Sequence, residues 1–229
     1  MVRMAVITGF LGQTRDRFHL YNEPKTVEQK FALLAGIRGY DGVEIVYPYE
    51  VSDPALTRGL LRKYRLKVAA VNVNVKAEPE FLNGGLTSTK KAVREKAIRF
   101  IKASKDFAAA IGADKVTCCP LGDGFEFAFQ CDYRKMWGCL VDAFGECGAH
   151  RPEIPLFVEY KPSETRGKCF IDSAAKTLCL LHDIGLENMG VTLDFGHFVY
   201  GSEQPAEAAA LVASSPYRLY VHVNDNDGR

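Results

Sequence analysis

The chain has 229 residues, 47% of them hydrophobic, which is enough to bury one sizeable core. Its 29 Lys and Arg against 28 Asp and Glu leave a net charge of +1 with no long like-charge run, which argues against a nucleic-acid or membrane surface. The apolar stretches fall short of the ~18–20 residues of a bilayer span. The seven cysteines contain no C-x-x-C pair and outline neither a disulfide framework nor a zinc ribbon, so a reduced, cytoplasmic protein is expected.

Taken in chain order, short β-rich runs alternate with longer helical stretches. Residues 4–10 read as a first strand, too brief an apolar run for a signal peptide. A helix follows over 25–39, with Phe31, Leu34 and Ala35 at helical spacing. A second strand covers 42–48, a helix 54–64, and a third strand 66–74. The longest helix runs over 89–111, with Ala97, Ile98, Ile101, Ala108 and Ile111 on one face and Gly112 as its stop. Strand four covers 115–120 and includes Cys118 and Cys119, expected as small core residues. A helix over 133–147 leads to strand five over 154–160, a helix over 172–183 to strand six over 190–195, and a helix over 205–213 to strand seven over 219–223.

Seven such periods with nearly all-apolar strands predict parallel strands buried on both faces. A period of about 30 residues suits an α/β (β/α)8 TIM barrel, of which seven β/α units are visible. The competitor is a doubly wound open sheet. It ordinarily carries a glycine-rich phosphate loop after strand one, and Gly9-Phe10-Leu11-Gly12 is neither G-x-G-x-x-G nor a P-loop. The barrel is preferred, with residues 1–229 as a single domain and the chain expected to be truncated before strand eight.

In such barrels the reactive groups come from C-terminal strand ends. Strand two carries Glu44, and strand three Asn72 and Asn74. Strand five ends in Glu159 and Lys161, which alternation puts on one side, about 7 Å apart along the strand. Strand six supplies Asp194 and His197, and strand seven His222. Glu159, Asp194, His197 and His222 therefore fall on three successive strand tips, and they account for two of the five histidines. Two carboxylates with imidazole and no thiolate suit a divalent metal, Mn²⁺ foremost, with Co²⁺, Mg²⁺ or Zn²⁺ also accommodated. Such a centre polarises hydroxyl and carbonyl oxygens, and Lys161 would add a positive charge for a developing oxyanion. Each residue also has a plain structural reading. Glu159 and Lys161 could form a strand-end ion pair, Asp194 a helix cap, His197 and His222 hydrogen-bonded structural histidines, and Glu44 an interior charge paired to Lys or Arg. Trp137 reads as packing.

The stretch Glu159-Tyr160-Lys161-Pro162-Ser163-Glu164-Thr165-Arg166-Gly167 resembles the E-x-K-P-x-E-x-R-G segment of xylose isomerases, and Asp194-Phe195-Gly196-His197 is similar to their E-x-G-H with Asp in place of Glu. L-rhamnose isomerases and ketose 3-epimerases of the same xylose-isomerase-like TIM-barrel superfamily share the Glu, Asp and His set. The resemblance implies a divalent-metal-dependent sugar isomerase that interconverts an aldose and a ketose by hydride shift or enediolate, with a ketose 3-epimerase acting by paired-glutamate proton transfer as the alternative. It implies that Glu159, Asp194 and His222 hold the metal and that His197 holds a second metal or the substrate. It also implies that Lys161 contacts O1 or O2, which makes Glu159, Lys161 and His197 the catalytic candidates. Lys161, His197, Glu44, Asn72 and Arg166 are the substrate-binding candidates. Asn224 stands where xylose isomerases place an aspartate ligand, and Asp225 and Asp227 are possible substitutes. The expected partner is a small-molecule sugar, with no nucleic acid and no membrane, in a homo-oligomer of at least two chains. Abasic-site endonucleases share this barrel but need a richer histidine set and phosphate contacts that a net charge near zero does not offer. A non-catalytic sugar-binding barrel is a further alternative. Sugar specificity is expected in loops 11–24, 75–88 and 121–132, whose aromatics include Phe18, Tyr21, Phe81, Phe125, Phe127 and Phe129.

Overall fold

The computed structural model describes residues 3–15, 18–164 and 167–224. Seven strands form one sheet: β1 (Ala5–Ile7), β2 (Gly42–Tyr47), β3 (Lys67–Val73), β4 (Val116–Cys118), β5 (Leu156–Glu159), β6 (Met189–Asp194) and β7 (Arg218–His222). Each strand pairs in parallel with the next in sequence, so spatial order equals chain order. Helices α1 (Val27–Ala35), α2 (Pro54–Tyr64), α3 (Lys91–Ile111), α4 (Tyr133–Ala149), α5 (Ala174–Ile184), α6 (Phe195–Gly201) and α7 (Pro205–Ala213) lie between the strands.

Strand alternation divides the sheet into two faces. Val43, Ile45, Val71, Val73, Val116, Leu156, Val158, Val191 and Leu193 join Phe31, Leu60, Ile101, Phe107, Phe144 and Leu180 of the helices in one buried apolar cluster. The other face carries Glu44, Asn72, Thr117, Glu159, Thr192, Asp194, Tyr220 and His222. The polar groups on this second face decide between an open sheet and a barrel. With about 4.8 Å between neighbouring strands, β2 and β7 would stand about 24 Å apart in a flat sheet. Instead, Glu44 of β2 meets His222 of β7 with 3.1 Å between Oε2 and Nε2. The sheet is curled, and its second face is a barrel interior. Among the described residues β1 and β7 are its edges.

Local chemistry explains the element ends. Thr26 forms a capping box with Gln29 on α1, Asp53 precedes Pro54 and caps α2, and Asp132 and Ser173 cap α4 and α5. Gly112 and Gly185 end α3 and α5 with φ of 82° and 70°, the left-handed region that glycine enters without strain. Two expectations need correction. The first strand is Ala5–Ile7 rather than 4–10, because Thr8 bends into a short 3-10 turn and its hydroxyl donates to the Glu44 carbonyl at 3.1 Å. The segment after strand six is a helix, α6, begun by Asp194 itself.

The loops at the C-terminal strand ends are tied together. Asp123, buried in loop 121–132, accepts from the Thr87 backbone N–H and hydroxyl, both at 2.6 Å, and from the Leu86 N–H at 3.2 Å. Gly124–Phe125, Gly167–Cys169 and Ser163–Glu164 form a small antiparallel sheet over the same end. No helix among the described residues is long and apolar enough to cross a membrane.

Candidate functional site

Glu159, Asp194 and His222 are the last residues of β5, β6 and β7. Parallel register sets Thr192 beside Glu159 and Asp194 beside His222, so the three side chains converge at one end of the interior. His222 Nδ1 lies 3.4 Å from Glu159 Oε2 and 3.9 Å from Asp194 Oδ2. His197, in the first turn of α6, places its Nδ1 3.6 Å from Glu159 Oε1 and 3.8 Å from Asp194 Oδ1. Two imidazoles thus face the two carboxylates from the sides of their different oxygens. Asp194 also caps α6, accepting from the His197 N–H at 3.0 Å, and takes a hydrogen bond from Asn224 Nδ2 at 2.7 Å. Both readings of Asp194, cap and site carboxylate, have a structural basis.

Beneath this cluster sits Glu44, 1% exposed. Its Oε1 accepts from Thr117 Oγ1 at 2.7 Å and Asn72 Nδ2 at 3.1 Å. Its Oε2 accepts from the Tyr220 hydroxyl at 2.9 Å and faces His222 Nε2 at 3.1 Å. Burial alone would push this carboxyl up, but the His222 charge and the hydrogen bonds from His222, Thr117 and Asn72 outweigh it and hold the pKa at about 2. Burial alone would push His222 down, and the flanking Glu44 and Glu159 carboxylates raise it far above the usual imidazole range. The interior charge is therefore paired, with a histidine on the far side of the barrel instead of a Lys or Arg.

Several observations test whether a cation fits here. Among the described residues no Lys or Arg forms an ion pair with Glu44, Glu159 or Asp194, so the imidazoles are the only cationic partners these three buried carboxylates have there. Among the described residues His197 Nδ1, a buried atom, has no hydrogen-bond partner, a costly state for a polar atom that a ligand would relieve. Glu159, Asp194 and His197 offer donor atoms all within 4.8 Å of one another. Bonds of about 2.1 Å to one ion put neighbouring donors about 3.0–3.5 Å apart, against 3.4–3.9 Å between the imidazole nitrogens and the carboxylate oxygens here. Oxygen donors with imidazole are the chemistry of a hard or borderline divalent ion, and the residues fit one.

A family model described as "Xylose isomerase-like TIM barrel" matches residues 31–229. The chain belongs to the xylose isomerase-like TIM barrel family. It is 26% identical over 165 residues to the xylose isomerase of Thermus thermophilus, an alignment covering 70% of this chain and 43% of that protein. The chain spans less than half the length of the curated relatives it matches. A solved D-tagatose 3-epimerase-like protein superposes with a TM-score of 0.77 at 18% identity, covering 99% of this chain and 78% of that one. The D-allulose 3-epimerase of Methylomonas sp. does so with a TM-score of 0.72 at 19% identity, covering 97% and 72%. These structural likenesses establish the fold.

Within this xylose isomerase-like barrel the other candidate side chains are placed as follows. Lys161 pairs with Glu164 at 2.9 Å and lies 5.7 Å from the centre of the Tyr200 ring, so the strand-end ion pair with Glu159 does not form. Burial lowers the Lys161 pKa, but the hydrogen bond and charge of Glu164 outweigh that and raise it. Asn72 spends its amide on Glu44. Arg166, Asp225 and Asp227 lie outside the described residues. Trp137 donates to Asp183 at 2.7 Å and packs on Phe170, away from the cluster. Sequence reasoning missed Thr117 and Tyr220. A signal existed for both, because Tyr220 shares the face of His222 by alternation and Thr117 is the polar residue between Val116 and Cys118.

Proposed function

We propose that this protein is a divalent-metal-dependent sugar isomerase that interconverts an aldose and a ketose. The observation that carries the reading is the convergence of Glu159, Asp194, His222 and His197 Nδ1, which has no hydrogen bond among the described residues, at three successive strand ends. The xylose isomerase named among the relatives supports a small-molecule sugar as substrate. Glu159, Asp194 and His222 hold the ion, with Mn²⁺ the first choice and Co²⁺, Mg²⁺ or Zn²⁺ its alternatives. When bound, such an ion polarises adjacent hydroxyl and carbonyl oxygens of the substrate. His197 sits at the opening side of the carboxylates and holds a second ion or a substrate hydroxyl. Lys161 turns from Glu164 to donate to O1 or O2. In the reaction, hydrogen on C2 of the open-chain aldose moves with its electron pair to C1, and a proton passes from O2 to O1. A reduced, cytoplasmic homo-oligomer belongs to the same proposal.

One observation favours a second reading, ketose 3-epimerisation. The Lys161 ammonium is committed to Glu164 and Tyr200 instead of facing the cluster, so carbonyl polarisation by this lysine is not prepared. The carboxylates are prepared. In this reading Glu159 takes a proton from C3 of a ketose, the electrons delocalise into an enediolate over C2 and C3, and a second acidic group, the other member of a glutamate pair, would return a proton to the opposite face of C3. The test is turnover of aldoses and ketoses by the Mn²⁺-loaded chain in D₂O. Aldose–ketose conversion that retains the substrate hydrogen supports the isomerase, and one deuterium at C3 with inversion supports the epimerase. Absence of metal-dependent turnover with any such sugar overturns both.

A further inference from the structure

We propose that Glu44 is a positioning residue that fixes His222 as an Nδ1 ligand, an inference that rests on the metal reading above. An imidazole on a strand end has two nitrogens and can rotate about its ring torsion, which is broad and roughly two-fold. Only one orientation turns Nδ1 toward both carboxylates, at 3.4 Å from Glu159 and 3.9 Å from Asp194. The Nε2–H of that orientation ends on Glu44 Oε2 at 3.1 Å. Rotating the ring would break this bond inside the barrel, where water offers no replacement.

Glu44 is itself held against rotation. A carboxylate has about four lone-pair sites, and Thr117, Asn72, Tyr220 and His222 occupy four. These donors come from β3, β4 and β7, so one buried carboxylate on β2 ties together strands from across the barrel. Alternation along β2 puts Glu44 on the inner face, and the β2–β3 register shifts there, Val43 pairing with Val68 and Glu44 with Ala70. His197 has no such support. Among the described residues its Nδ1 has no hydrogen-bond partner, and its side chain is 15% exposed against 5% for His222. The two imidazoles of the site therefore differ in kind. His222 is set before the ion arrives, and His197 adjusts to what is bound. Carboxylates that hold a ligating imidazole by its far nitrogen raise both its orientation and its basicity, and their loss weakens metal binding by about 10–100-fold.

The experiment is calorimetric titration of Mn²⁺ into the chelated wild-type chain and into Glu44→Gln, Tyr220→Phe and Asp194→Ala. Nitrogen-15 spectra of the Mg²⁺-loaded wild type accompany it. Glu44→Gln keeps the shape of the side chain and removes its charge. The expected result is a Kd raised about 10–100-fold in Glu44→Gln, a several-fold rise in Tyr220→Phe, and binding abolished in Asp194→Ala. In the loaded wild type His222 should carry its proton on Nε2. Binding lost in Asp194→Ala but kept within twofold in Glu44→Gln overturns the positioning role and leaves the metal site standing. Equal binding by wild type and Asp194→Ala, or none by either, overturns the metal site and this inference with it. If Glu44→Gln does not fold, an unchanged Kd in Tyr220→Phe, or a proton on Nδ1 of His222, overturns the role.

Discussion

Asp194 caps α6 and is proposed to hold the metal ion, and two substitutions separate the two roles. As a cap, its Oδ1 accepts from the His197 N–H at 3.0 Å, and its Oδ2 takes the Asn224 amide at 2.7 Å. Asp194→Ala removes both, and a lost cap costs about 1 kcal/mol with about another 1 kcal/mol for the side-chain hydrogen bond. Asp194→Asn keeps a capping oxygen, since Asn and Asp cap equally well, and loses the bond from Asn224, so the chelated variant should melt about 2–4 °C below wild type. The metal response behaves differently. An ion at one hundred times its Kd stabilises the native chain by about 2.7 kcal/mol, which for a domain of this size raises Tm by about 5–11 °C. Asp194→Asn removes one of the two carboxylates that both imidazoles face, and the Mn²⁺-induced rise should fall below about 2 °C at the same concentration. The assay is a pair of thermal melts per variant, chelated and Mn²⁺-loaded. If Asp194→Asn keeps the full rise while Asp194→Ala loses only stability, Asp194 is a cap and nothing more.

Three other expectations follow from the same geometry. Asp123→Ala leaves the Leu86 and Thr87 N–H groups and the Thr87 hydroxyl without their acceptor, and should cost about 3 kcal/mol in denaturant unfolding and open loop 75–88 to limited proteolysis. Gly190→Ala places a Cβ 2.5 Å from the Phe157 ring and 2.9 Å from the Arg218 carbonyl inside the barrel, and should cost about 1–3 kcal/mol by the same assay. Lys105 is fully buried, its ammonium donating to the Cys147 and Gly148 carbonyls near the end of α4, and burial lowers its pKa from 10.5 to about 8. Between those values the unfolded chain holds the proton more tightly, so this lysine's contribution to stability rises with pH. The stability of wild type relative to Lys105→Met should therefore climb by about 3 kcal/mol from pH 7 to pH 11, and parallel pH curves would refute the depressed lysine.

How far the site could be read from the sequence depends on the distance over which each feature is encoded. The seven strands and their helices were legible because each rests on local periodicity, a cap or a stop glycine, and α7 falls at the predicted Pro205–Ala213. The strand-end positions of Glu159, Asp194 and His222 were legible for the same reason, since alternation and strand length are local. Helix α6 was missed because Asp194 ends one element and begins the next, with no loop between them. The role of Glu44 was illegible for a deeper reason. Its partner His222 lies 178 residues away, and the two meet only because seven strands curl by the right amount. Alternation gives the face on which a polar residue lies, and curvature, a property of the whole sheet, gives what it faces. Thr117 and Tyr220 show the consequence, since each looks like an isolated blemish in a strand until Glu44 is set between them. A buried carboxylate with four donors from three other strands is a closure device as much as a site residue, because its hydrogen bonds form only when those strands have taken their places. Folding the barrel and orienting His222 are then one event, and any variant that relaxes the curl should loosen His222 before it exposes the core.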